Sequence, residues 1–303
     1  MIALVASRAG RGHSWCGVLA RAWLRGTTAS VLVALVVAFA WNTAQAEEVQ
    51  RDAGSGLEYL QVLTGGAGEG DPVPVVLALH GLGDHPSSFQ IVLDDLSVKA
   101  RIVLPRGPIP HGDDGFSWFN FRADDLESGG DMSEGITTSA ERLATLLVAL
   151  RTKHHGPPRA VVCGFSQGGV LSFALAAAHP ELVAQAVPVA GYLPNSLWPA
   201  SRPQYRPLPS LLALHGEADS VISLQSAQWS VEALRANGFS ATLKSWPGVA
   251  HAISLAMRAA LLAEVTRAVE ELSPPAAVPD PAAAAGAMGP PAPAPAENTA
   301  RPR

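Results

Sequence analysis

Short apolar runs of strand length recur along the chain, separated by stretches whose apolar positions return at helical spacing. Val75–Leu79, Ile102–Leu104, Val161-Val162-Cys163, Ala186–Ala190 and Leu211–His215 are nearly continuous in apolar residues, the pattern of strands buried on both faces. Leu57–Leu63 alternates loosely and reads as a first strand, and Thr242–Trp246 reads as a last one. Pro86-Ser87-Ser88 opens a helix predicted to run to about Lys99. Ile136, Leu143, Leu146, Leu147 and Leu150 recur at helical spacing up to Arg151, and further helices are predicted over Val170–Ala178, Leu224–Ala236 and roughly Ala252–Leu272. Strands that alternate with helices need crossover connections, so the expected class is α/β, with a mostly parallel central sheet and helices on both faces. Two connections stand out. Segment 107–132 is predicted to be a long loop in which Phe116, Trp118, Phe119 and Phe121 cluster, and loops of that length tend to be functional. Gly191 to Pro209 is broken by Pro194, Pro199, Pro203, Pro207 and Pro209. Proline removes a backbone donor and clashes with the preceding turn, so no large helical cap domain is expected there.

Composition changes the picture mainly at the two ends. Residues 1–46 carry Arg8, Arg11, Arg21 and Arg25 and no acidic residue, then an apolar run from Val31 to Trp41, then Ala44-Gln45-Ala46. This is the layout of a secretory signal peptide cleaved after Ala46; the apolar run falls short of the ~20 residues of a spanning helix. An exported protein, periplasmic or secreted, is expected, with no stable membrane insertion once the signal is removed. Residues 273–303 are mostly alanine and proline without an aromatic, a composition that cannot bury a core and reads as a disordered tail. Residues 47–272 are thus the expected single folded domain. Without the signal, 21 − 4 = 17 basic side chains face 26 acidic ones, a balance that gives no reason to bind nucleic acid. Cys16 leaves with the signal, so Cys163 is alone and no internal disulfide is expected.

The chemistry is concentrated where predicted strands end. Gly164-Phe165-Ser166-Gln167-Gly168 joins an apolar strand to a helix. That context suits a nucleophile elbow, in which a tight turn exposes the serine hydroxyl. A serine needs a histidine to take its proton and an acid to hold that histidine in the right tautomer. Three histidines follow Ser166. His179 lies at the far end of the nucleophile helix, ~20 Å away at a rise of about 1.5 Å per residue. His215 precedes the likeliest acids in the chain and reads as structural. His251, between the last strand and the last helix, is left as the base. Of the acids between, Glu217 and Asp219 share a loop after a strand; Asp219 is preferred and Glu217 is the runner-up. Backbone N–H groups of Gln167, after the nucleophile, and of Leu82, in His80-Gly81-Leu82-Gly83, would form an oxyanion hole. Leu82 with Phe116, Trp118 and Phe119 is expected to wall an open acyl groove suited to short and medium chains. This chemistry calls for no cofactor. A metal site is not expected either, because His154-His155 lack a spaced carboxylate partner.

Taken together, Leu79-His80-Gly81-Leu82-Gly83-Asp84, Gly164-Phe165-Ser166-Gln167-Gly168-Gly169, His215-Gly216-Glu217-Ala218-Asp219 and His251 resemble the phospholipase/carboxylesterase family of α/β-hydrolases, which includes acyl-protein thioesterases and small bacterial carboxylesterases. The resemblance spans roughly Val75 to Leu272. It implies an α/β-hydrolase fold, a Ser166–Asp219–His251 triad and an oxyanion hole at Leu82 and Gln167, acting on a small ester or thioester. The export signal and the proline/alanine tail depart from the cytosolic thioesterases of that family. Two alternatives stay open. A dienelactone-hydrolase-like protein would place cysteine at the elbow, where this chain has Ser166. A non-catalytic ester-binding protein would be expected to lack a triad member, and none is missing.

Overall fold

The computed structural model describes residues 49–120 and 132–273. The expected signal segment, Phe121 and nearly all of the expected tail lie outside them. An eight-stranded sheet runs through the centre in the order β1-β2-β4-β3-β7-β8-β9-β10. Its strands are β1 (Gln50–Arg51), β2 (Glu58–Thr64), β3 (Val75–Leu79), β4 (Ala100–Pro105), β7 (Ala160–Phe165), β8 (Val183–Val189), β9 (Ser210–Gly216) and β10 (Ser240–Trp246). From β4 to β10 every neighbour is parallel, and β1 and β2 add an antiparallel edge. The five residues of β3 and the six of β7 are all buried, which is why those strands carry no polar alternation.

Among the described residues the helices are α1 (Pro86–Gln90), α2 (Ser133–His154), α3 (Gln167–Ala178), α4 (Leu224–Ala236) and α5 (Leu255–Leu272). Because side chains alternate across a strand, β7 feeds two cores at once. Val162 packs with Ile136, Leu143 and Leu147 of α2, Phe173 of α3 and Val231 of α4. Val161 and Cys163 pack on the opposite face with Phe89 of α1 and Met257, Leu261 and Val265 of α5. The sheet is thereby covered on both sides, and its strands end together at one edge, where ligands bind in folds of this kind. The connection from Gly191 to Pro209 holds only a 3₁₀ turn, Asn195–Leu197, so no cap rises over that edge from it.

Two local expectations are corrected. The helix opened by Pro86 does not reach Lys99; it ends at Gln90 and tightens into a 3₁₀ turn over Ile91–Leu93. Arg258 of α5 explains the stop. Its guanidinium donates to the carbonyls of Val92 and Ile91 and pairs with Asp95, taking acceptors that a continuing helix would have used itself. Segment 107–132 is also not all loop, since β5 (Ile109–His111) and β6 (Gly115–Ser117) form a hairpin within it. The hairpin is fastened to the turn after β3. Gly83 N–H donates to Phe116 O and Phe116 N–H donates to Asp84 O, at 2.9 and 3.0 Å. A side chain at Gly115 would come within 2.3 Å of Gly83 O, so glycine is what allows this contact.

Candidate active site

At the end of β7 the chain turns into α3 through Ser166, whose φ of 55° and ψ of −114° are those of a strained turn. Such a conformation costs about 1–3 kcal/mol and persists only where the surroundings impose it. Here they do so by crowding. A Cβ on Gly168 would lie 2.1 Å from Leu79 O, and one on Gly164 would lie 2.5 Å from Gly168. Both flanking positions must be glycine for α3 to start this close to the sheet.

His251 reaches Ser166 from the loop between β10 and α5. The Ser166 hydroxyl donates to His251 Nε2 at 3.0 Å, and His251 Nδ1–H donates to Asp219 Oδ2 at 2.7 Å. Asp219 comes from the loop after β9, and its other oxygen accepts the N–H groups of Val221 and Ile222, both at 2.9 Å. Burial works against the charge on Asp219. The hydrogen bonds of His215, His251 and the Ile222 N–H outweigh it, and the carboxyl is held well below the usual carboxylate range. With an ionised acceptor on Nδ1, the imidazole keeps its proton there and leaves Nε2 free to accept one.

The other residues singled out in the sequence sort clearly. Glu217 is exposed and accepts from Ser245 Oγ at 2.8 Å, not from His251. His179 caps the far end of α3 and lies beside Glu141 and Glu181. His215 is buried, and its Nε2–H donates to Ile222 O at 2.8 Å. It thereby steadies the turn that carries Asp219, and its Nε2 also lies 3.4 Å from Asp219 Oδ2. Cys163 is fully enclosed in the sheet, and burial pushes its thiol up to about 12, which suits core packing and not nucleophilic chemistry.

Leu82 and Gln167 share with Ser166 the wall of an apolar pocket of about 60 Å³. Their backbone N–H groups bond to nothing among the described residues. The Gln167 side chain is held at both ends: Oε1 accepts from Trp118 N–H at 2.9 Å and from Ser117 Oγ at 3.2 Å, and Nε2 donates to Phe119 O at 3.0 Å. Trp118 Nε1 donates to His80 O at 2.9 Å. His80, held neutral by burial with its pKa down to about 4, accepts from Gly107 N–H at 3.0 Å and donates through Nδ1 to Gly81 O at 2.8 Å. One polar network therefore ties the turn at Leu82, the start of α3 and residues 117–119 together.

That network corrects the expected acyl wall. Of the three aromatics, only Phe119 lines the pocket at Ser166. Trp118 is 1% exposed, and its ring packs on His80 beneath the turn, because its indole N–H needs a buried acceptor. Phe116 faces outward under the Arg106 guanidinium, 4.6 Å from its ring centre. The rest of the wall is Met132, Ile136, Val170, Tyr192, Val221 and Ile222. Sequence reasoning missed all six, which come from separate parts of the chain. Only the apolar pair Val221-Ile222, just after Asp219 and with Val221 exposed, offered a local hint.

The sequence profile of a family described as phospholipase/carboxylesterase matches residues 66–263, well over half of the chain. The chain belongs to that family. A probable carboxylesterase of Oryza sativa subsp. japonica is 30% identical over 191 residues, which are 59% of this chain and 71% of that protein. Acyl-protein thioesterase 1 of Mycosarcoma maydis is 30% identical over 189 residues, 54% of this chain and 76% of that one. Among solved structures, esterase PE8 superposes with a TM-score of 0.59 at 22% identity, covering 72% of this chain and 99% of the other. This last likeness concerns the fold, and the fold is that of the α/β-hydrolases. As a phospholipase/carboxylesterase family member the chain is a carboxylic ester hydrolase.

Proposed function

We propose that the chain is an exported serine esterase that cleaves carboxylic esters or thioesters of short-to-medium acyl chains through an acyl-enzyme. The observation that carries this reading is the unbroken hydrogen-bonded line from Ser166 Oγ to His251 Nε2, and from His251 Nδ1 to Asp219. In the proposed cycle Ser166 Oγ attacks the acyl carbonyl carbon as its proton passes to His251 Nε2. The N–H groups of Leu82 and Gln167 receive the carbonyl oxygen as it becomes negative. His251 then gives the proton to the departing oxygen or sulfur, and the acyl group stays on Ser166. Water, deprotonated by the same imidazole, attacks the acyl carbon and releases the acid, and the proton returns to Ser166. Asp219 stays ionised throughout and stabilises the imidazolium.

The apolar pocket supports the proposed acyl preference. Its apolar space of about 60 Å³ beside Ser166 is small, which favours enclosing the start of an acyl chain, and each buried methylene contributes about 0.8 kcal/mol. Export rests on the basic, apolar and small-residue order of residues 1–46. In the test, a series of p-nitrophenyl esters of rising chain length and a matched thioester are given to the purified protein, alongside fluorophosphonate labelling. kcat/KM is expected to rise from acetyl to medium chains and then level off. Ser166→Ala is expected to abolish both turnover and labelling. Turnover that persists in Ser166→Ala overturns the reading.

A further inference from the structure

Ser166 lies where two pockets meet. On one side is the apolar pocket just described. On the other is a wider one of about 190 Å³, walled by Gly81, Leu82, Asp84, Phe165, Val221 and His251. Leu82 and Val221 belong to both walls and form the ridge between them. His251, which in the proposed cycle hands its proton to the departing atom, lines only the second pocket. The leaving group must therefore lie there.

Asp84 is the unexpected residue in that wall. It is 8% exposed. Its Oδ1 accepts the His85 N–H at 2.9 Å, and its Oδ2 is buried with no partner among the described residues. A carboxylate oxygen shut away from water without a donor is costly, and the bond to His85 N–H does not require a charge, since an asparagine oxygen would serve. Among the described residues no neighbouring cation compensates it. His80 is neutral and has both nitrogens engaged. His85 turns Nδ1 toward Ser87. Arg106 is paired with Glu58 and lies over Phe116. Apart from His251, Asp84 is the one ionisable side chain of this pocket among the described residues. We propose, on the basis of the serine-esterase reading, that Asp84 selects the leaving group: the second pocket favours an alcohol or thiol that carries positive charge and disfavours an anionic one.

Three butyrate esters with a common acyl group test this: the choline ester, its neutral isostere the 3,3-dimethylbutyl ester, and the carboxymethyl ester. The wild-type protein is expected to favour choline over the isostere by about tenfold in kcat/KM, equivalent to ~1.4 kcal/mol, and to place the carboxymethyl ester last. In Asp84→Asn, which keeps an oxygen for the His85 N–H, the choline-to-isostere ratio is expected to fall to about one, in keeping with loss of the charge–charge attraction. Asp84→Ser serves as a second variant with the same expectation. A wild-type ratio of one or below overturns the proposal, as does a ratio that survives in either variant. Fluorophosphonate labelling of Ser166 separates the two layers of the argument. Labelling with a flat ratio removes only the role of Asp84, whereas an unlabelled, inactive wild type removes the esterase reading beneath it.

Discussion

Asp219→Asn is the substitution that most directly probes the proposed mechanism. The asparagine oxygen can keep the bonds from Val221 and Ile222 N–H, both 2.9 Å in the wild type, so the turn after β9 should survive. The change falls on the other side of the group. Where Oδ2 accepts from His251 at 2.7 Å, an NH₂ would meet an N–H, and two donors cannot share that distance. The imidazole resolves the conflict by moving its proton to Nε2, the nitrogen that faces Ser166 at 3.0 Å. In that tautomer it cannot accept the serine proton. Loss of the correct tautomer costs about 10⁴ in turnover, and four factors of ten at ~1.36 kcal/mol each come to about 5.5 kcal/mol of transition-state stabilisation. The measurement is kcat/KM on p-nitrophenyl butyrate at neutral pH, with the rate of fluorophosphonate labelling as a second readout. Glu217→Gln is the internal comparison: its partner is the surface hydroxyl of Ser245, and a change within about threefold is expected, as for other exposed polar contacts. An Asp219→Asn enzyme within about tenfold of wild type would refute the tautomer argument. A Glu217→Gln enzyme more damaged than Asp219→Asn would place the acid at Glu217.

Two further outcomes follow from other parts of the network. His80 is buried with its pKa lowered from 6.5 to about 4, so the unfolded chain takes up a proton in that interval and the folded chain does not. Its stabilising effect is complete above pH 6.5 and is lost as pH falls toward 4; a gap of 2.5 units amounts to about 3 kcal/mol. Denaturant titrations across this range should show that loss, and His80→Gln should flatten it; an unchanged slope in the variant contradicts the assignment. Gly216 allows the segment before His251 to lie against the end of β9, since a Cβ there would fall 2.2 Å from Val249 O and 2.7 Å from Ala250 O. Gly216→Ala should displace His251 and lower kcat by about 10², and a variant with wild-type kcat and thermal midpoint would show that the loop does not depend on this contact.

The parts of this molecule that were legible in the sequence share a physical cause, and so do the parts that were not. Strands buried on both faces have no polar side, so β3 and β7 stand out as unbroken apolar runs. The elbow was visible because the strain at Ser166 requires glycines within two residues of it. Asp219 and His251 could be reached by chain order and by their places after β9 and β10. Each of these signals is local. What could not be read was set by partners far along the chain. The end of α1 depends on Arg258, 166 residues beyond Val92. The burial of Trp118 depends on the carbonyl of His80, 38 residues before it. An aromatic cluster looks the same in sequence whether its rings face a substrate or pack beneath a turn, and here the indole N–H, which must find an acceptor once buried, decided for the turn. This reassigns the cluster's contribution. Trp118, together with the Gln167 side chain, holds the Leu82 turn against the start of α3, so its substitution should act on the alignment of the two candidate oxyanion donors before it acts on acyl-chain preference. The shape of the acyl pocket depends instead on Phe119, Ile136, Val170, Tyr192 and Val221, residues that come together only when the sheet forms.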